Sequence, residues 1–214
     1  KLWLSVAFLS LIAALVGVFN QDVYSTVLRS DLLPGTISQD FVTILAGATL
    51  LFLSLKTDQK DTKKQILILS LLAYIFYGYG IYVIERMYKR TLSALYGDIL
   101  ALFLSLLRID KDALKNIQAA NWLRNLSAGF LIFTAFLFYF LWTSQLLPLM
   151  RTGEKLDFLY SIYILDMVFV LPAILISATL VIKRNPLGLV FAPILFIKAF
   201  TLLFSVGLGN LLKP

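Results

Sequence analysis

Seven long apolar runs make up most of this chain, and a chain so divided has few folds open to it. They span residues 2–19, 41–55, 66–84, 92–107, 127–149, 158–182 and 189–212. In lipid every backbone N–H and C=O must find its partner inside the protein, so uninterrupted runs of this kind read as helices. A spanning helix takes about 20 mostly apolar residues rising about 1.5 Å each. The second and fourth runs fall short of that, so they are expected to extend into flanking residues or to sit where the bilayer thins. The expected fold is therefore an all-α membrane protein, a bundle of about seven transmembrane helices in a single polytopic domain over residues 1–214. The first run is too long for a signal-peptide core and has six more behind it, so it is expected to be retained.

Composition agrees and excludes several functions. Hydrophobic residues are 60% of the chain and charged residues 14%, against about 25% charged in an ordinary soluble domain. Cys and His are both absent, which removes disulfides, thiol chemistry, the usual zinc sites and bis-His haem. No metal set, cofactor motif, phosphate loop or nucleophile motif appears, so neither a cofactor nor enzymatic activity is expected. The net charge of +7 comes from Lys and Arg in short loops beside apolar runs. Lipid headgroups account for that distribution, and no nucleic-acid partner is expected.

Counting Lys and Arg on alternate sides of seven spans puts eleven on the side of Lys1 and seven on the other, with Lys198 inside the last run. The positive-inside rule then sets the N-terminus in the cytoplasm and the C-terminus outside. Residues 108–126 place Ile109, Ala113, Ile117 and Ala120 at helical spacing among basic residues, which fits an interfacial cytoplasmic helix. The longest outer connection is 20–40, where Pro34-Gly35 reads as a turn.

The intramembrane charges are where function is sought. Lys198 lies roughly ten residues from either polar edge of its run, and a charge near the bilayer centre costs on the order of 3 kcal/mol or more. Asp166 stands alone in the preceding run. In the expected topology Asp166 lies roughly 12 Å and Lys198 about 16 Å from the outer edge, within reach of each other. The pair reads either as a polar site for an ion, proton or small anion or as a staple that sets helix register. Pro172 and Pro193, near these residues, read as simple helix kinks or as breaks that free backbone carbonyls at similar depth for a site. Asp98, mid-run in the fourth span, is a further candidate. Asp40 and Glu85 read either as interfacial residues or, with Asp98 and Asp166, as an outer carboxylate set suited to a cation or proton vestibule. Tyr74 and Tyr77 lie deep enough for their hydroxyls to need partners, whereas Tyr82 suits the outer aromatic belt. The Phe-rich fifth run reads as lipid-facing or core-filling.

Two stretches carry a resemblance: Gln39-Asp40-Phe41-Val42-Thr43-Ile44 on through Gly47 to Leu55, and Leu165-Asp166 with Pro172, the turn Lys183-Arg184-Asn185-Pro186-Leu187-Gly188, Ala192-Pro193 and Lys198. With the Tyr-rich third run they resemble a loose group of uncharacterised multi-spanning prokaryotic membrane proteins with no assigned activity. The resemblance implies a prokaryotic cytoplasmic membrane and shared roles for Asp166, Pro186 and Lys198, while Asp98 departs from the group's pattern. Two functions compete. One is a small transporter, channel or ligand-binding membrane protein with a Lys198/Asp166 site. The other is a non-catalytic accessory or assembly subunit, partnered by a larger membrane complex or by copies of itself. Retinal on Lys198 is a minor third reading, disfavoured because the residue four before it is Ile194 and no Trp lies in the last two runs.

Overall fold

The computed structural model describes residues 2–25, 30–56, 61–85, 99, 101, 104, 119–154 and 160–212. Among these the protein is all-helical. We number the helices α1 (Leu2–Phe19), α2 (Asp22–Ser25, a single turn), α3 (Leu33–Lys56), α4 (Thr62–Ile84), α5 (Asn121–Thr152), α6 (Tyr160–Ile182) and α7 (Gly188–Leu211). All but α2 are long and apolar enough to cross a membrane, six in number among the described residues. Apart from Ile99, Ala101 and Leu104, the fourth apolar run lies outside the described residues, and Asp98 with it.

The second run gains its missing length at its N-terminal end. A 3-10 turn at Ser30–Leu32 leads straight into α3, so Pro34-Gly35 is not a loop turn but lies in the first turn of the helix. Proline is tolerated there because its missing N–H would have had no intrahelical acceptor.

The chain divides into two compact units, one of Lys1–Ile109 with Phe196–Pro214 and one of Asp110–Leu195. In the first, α1 packs on α3 and α3 on α4. The buried stripe of α1 is Ala7, Ser10, Ala14 and Gly17, with Val6 beside it. These positions recur every three or four residues and are nearly all small, so the α1 backbone can approach its neighbour closely. α3 presents Val42, Ala46, Leu50 and Leu53 at the matching helical spacing. α4 is buried over 72% of its most apolar window, and a helix apolar on all sides belongs at the centre of its bundle. Asp61 starts α4 by accepting from the Lys64 N–H (3.2 Å) and pairing with the Lys64 ammonium (2.9 Å). These bonds hold its carboxyl below the usual range.

In the second unit α5 packs on α6. Residues 121–126, the end of the expected interfacial segment, are the first turns of α5, and 108–118 lie outside the described residues. The outward side of α5 carries Phe130, Phe133, Phe136 and Phe140, all more than half exposed, as a lipid-facing surface would be.

Both α5 and α6 end in a left-handed residue. At the end of α5 it is Gly153 (φ 72°), whose N–H bonds the Leu149 carbonyl at 2.9 Å. At the end of α6 it is Arg184 (φ 56°), closing a Schellman motif in which the Asn185 N–H reaches the Leu180 carbonyl (2.9 Å) and the Arg184 N–H reaches Val181 (3.1 Å). The left-handed conformation costs an ordinary residue about 1 kcal/mol that glycine avoids. Arg184→Gly is therefore expected to stabilise the chain by about 1 kcal/mol, read as a higher unfolding temperature in detergent. A lower one would contradict this account of the turn.

Candidate functional site

Within the first unit the structure brings three of the expected site residues together. Lys198 on α7 is 5% exposed, and its ammonium lies 3.5 Å from the centre of the Tyr77 ring on α4. At that distance a desolvated cation gains about 2 kcal/mol from the ring quadrupole. Tyr74, one turn before Tyr77, is fully buried, and its hydroxyl donates to the Gln39 carbonyl of α3 at 3.4 Å. That carbonyl also accepts from the Thr43 hydroxyl at 2.7 Å. Two turns along α7, the Ser205 carbonyl lies 2.9 Å from the Ser38 hydroxyl. Lys198 and Ser205 are seven residues apart, two helical turns, so one face of α7 meets both α3 and α4.

Asp40 is the main departure from the sequence reading. It was expected at the membrane interface, yet it is 3% exposed and lies seven residues inside α3, roughly 10 Å along the helix axis. Tyr24, on the one-turn helix α2, donates its hydroxyl to the Asp40 Oδ2 at 2.5 Å, a length typical of O–H donors on an ionised acceptor. Tyr82 of α4 was expected in the aromatic belt. It is 6% exposed instead, and its buried hydroxyl stands beside Asp40 and Tyr24 without a hydrogen bond of good geometry. The end of α1 contributes Gly17, whose missing side chain leaves room for the Asp40 carboxylate and the Tyr24 hydroxyl. Burial, the Asp40 charge and the bond to Asp40 together hold the Tyr24 hydroxyl far above the usual phenol range. It remains a neutral donor at any physiological pH.

The second unit holds Asp166, 8% exposed, in its own aromatic setting. Residues Leu165–Val170 of α6 are wound as a π-helix, with the Leu171 N–H bonded to the Asp166 carbonyl. The next bond in that register would run from residue 172 to the Met167 carbonyl, but residue 172 is proline and has no N–H. The Tyr139 hydroxyl of α5 takes the opened acceptor, at 3.1 Å. One turn along α5 the Trp142 ring N–H donates to the Asp166 Oδ2 at 3.1 Å, and Tyr163 donates to the Gln145 Oε1 at 2.7 Å. The Pro172 kink expected from sequence is thus a π-turn whose lost bond a side chain replaces, a distortion frequent at functional sites. Pro193 lies inside a continuous α7.

Asp166 and Lys198 fall in different units. Each is described with an aromatic partner of its own unit, Trp142 for the carboxylate and Tyr77 for the ammonium. Tyr24, Tyr139 and Trp142 were not singled out from sequence, and Asp40 and Tyr82 were placed at the membrane interface. The signal for the cluster of Asp40, Tyr24 and Tyr82 was a glycine closing the small-residue stripe of α1 opposite a carboxylate in α3. Comparison with family models, with curated proteins and with solved structures finds no match to this chain.

Proposed function

We propose that the chain is an integral membrane protein of a prokaryotic cytoplasmic membrane that binds an ion or small polar ligand within its bundle, as a small transporter, channel or ligand-binding protein. The observation that carries this reading is the buried Lys198 ammonium seated on Tyr77, with hydroxyl-bearing Tyr74 one turn away. Packing alone does not call for a charge there, because methionine would fill similar volume without the cost of desolvating an ammonium. An ammonium beside phenol groups can hold an anion or the anionic group of a larger ligand through charge-assisted hydrogen bonds. Asp166, held by Trp142 beside the π-turn, is a second polar locus.

The test is flux and binding in proteoliposomes across a panel of small inorganic and carboxylate anions. At least one is expected to be bound or carried by the wild type and not by Lys198→Met. Equal activity in both proteins would remove Lys198 from the function. The competing reading, an accessory or assembly subunit, draws on the exposed Phe130, Phe133, Phe136 and Phe140 of α5. Reproducible co-purification of a defined membrane partner in mild detergent, lost when these four are replaced by Ala, would favour it.

A further inference from the structure

The Asp40 cluster is a separate site from Lys198 and Tyr77, with a different chemistry. A carboxylate buried among apolar helices costs several kcal/mol unless something neutralises it. Among the described residues no Lys or Arg makes an ion pair with Asp40. What faces it is neutral: the Tyr24 hydroxyl on Oδ2 and the nearby Tyr82 hydroxyl. α1 offers only Gly17 at this point, with no titratable group. From α4, Tyr74 lies further off, and the one cation of α7, Lys198, rests on Tyr77. Asp22, the other ionisable residue of α2, is exposed. The charge on Asp40 therefore needs a partner that the described side chains do not supply.

We propose that Asp40 is a proton-carrying carboxyl, with Tyr24 as its connection to solvent and Tyr82 as a second hydroxyl available to the bound or released state. Three features favour a proton over a metal cation. Tyr24 already occupies Oδ2 at hydrogen-bond length. The cluster shows one carboxylate and two phenol oxygens, and among the described residues no group of three or more acidic side chains could hold a metal ion. Tyr82, buried and without a hydrogen bond among the described residues, can donate to the ionised carboxylate or accept from the protonated one.

The route is short. Asn20 and Gln21, beside α2, are exposed, and Tyr24 is half-buried between them and Asp40. A proton from solvent adds to the phenol oxygen as the phenol's own proton passes to Oδ2. Tyr24 ends neutral, and the carboxylate becomes a carboxyl. This inference stands whether or not Lys198 binds an anion.

Infrared difference spectroscopy of the purified full chain, taken across a pH titration, tests it. The wild type is expected to show a protonated-carboxyl C=O band that vanishes as pH rises, and Asp40→Asn to lose that band completely. Tyr24→Phe removes the phenol hydrogen-bonded to the carboxyl at Oδ2, so the band is expected to move to higher frequency. A band retained in Asp40→Asn, or an Asp40 that is ionised throughout the titration, would overturn the proposal. So would loss of the band at constant pH when choline chloride is replaced by sodium chloride, since the site would then hold an alkali cation. If Asp40→Asn does not fold, Tyr24→Phe decides alone, because an unmoved band means the carboxyl being observed is not this one.

Discussion

Gly17→Ala is expected to destabilise the protein by about 3 kcal/mol, an effect unusually large for the addition of one methyl group. A β-carbon at this position falls on the Asp40 carboxylate and the Tyr24 hydroxyl, with Asp40 Cγ only 2.9 Å away. Overpacking a filled interior costs about 1–3 kcal/mol. Here the displaced group also carries a hydrogen bond to a charge, worth about 1.5–3 kcal/mol. Asp40 cannot retreat cheaply, because it is buried between α1, α2 and α4. The double variant Gly17→Ala/Asp40→Ala removes the obstructed group, so it is expected to recover most of the loss, a coupling only groups in contact show. Gly207→Ala, where nothing lies within 4 Å of the added carbon, is the control and is expected to be neutral or mildly stabilising. Thermal unfolding in detergent reads all three. Additive losses in the double variant would mean that Gly17 matters for some reason other than its contact with Asp40.

That cluster shows where hydropathy stops being informative. A carboxylate counts as the edge of an apolar run, so Gln39-Asp40 cut the second run at Phe41 and set Asp40 at the interface. The structure starts α3 eight residues earlier, at Leu33, and the same Asp lies inside. Tyr82 was placed in the aromatic belt for a related reason, since nearness to a helix end was taken for nearness to headgroups. Yet α4 is buried on nearly every side, so even its last turns face protein. The spread of Tyr74, Tyr77, Tyr79 and Tyr82 around α4 has the same cause: Tyr79 turns to the Ser10 carbonyl of α1 (3.1 Å) while Tyr77 meets Lys198 of α7. Lys198, Asp166, Tyr74 and Tyr77, each well inside its apolar run, are all buried in the protein. Aromatic partners were less legible: Trp142 serves Asp166 through a ring N–H and Tyr77 serves Lys198 through its π face. Neither kind of partner leaves a mark in charge or hydropathy.

Lys198→Met is expected to abolish ligand binding while leaving the fold as stable as before or more so. The two halves of that result have separate causes. Binding is lost because the ammonium is the one charge that α7 brings to the site. Stability is kept because methionine matches the length of the lysine stem, still packs on the Tyr77 ring through its sulfur, and carries no desolvation cost. The cation–π contact forfeited is worth about 2 kcal/mol, and the cost of holding the ammonium away from water, on the order of 3 kcal/mol, is lost with it. Lys198→Ala is a different experiment, because it leaves a cavity and is expected to cost about 2–5 kcal/mol like other large-to-small core changes. Lys198→Arg keeps the charge in a broader, planar group, so residual binding in this variant would identify charge rather than shape as what the ligand requires. A purely structural lysine gives the opposite pattern: Lys198→Met lowers the unfolding temperature, and no anion in the panel shifts that of the wild type. Unfolding temperature with and without each anion, measured on the same three variants, separates the two.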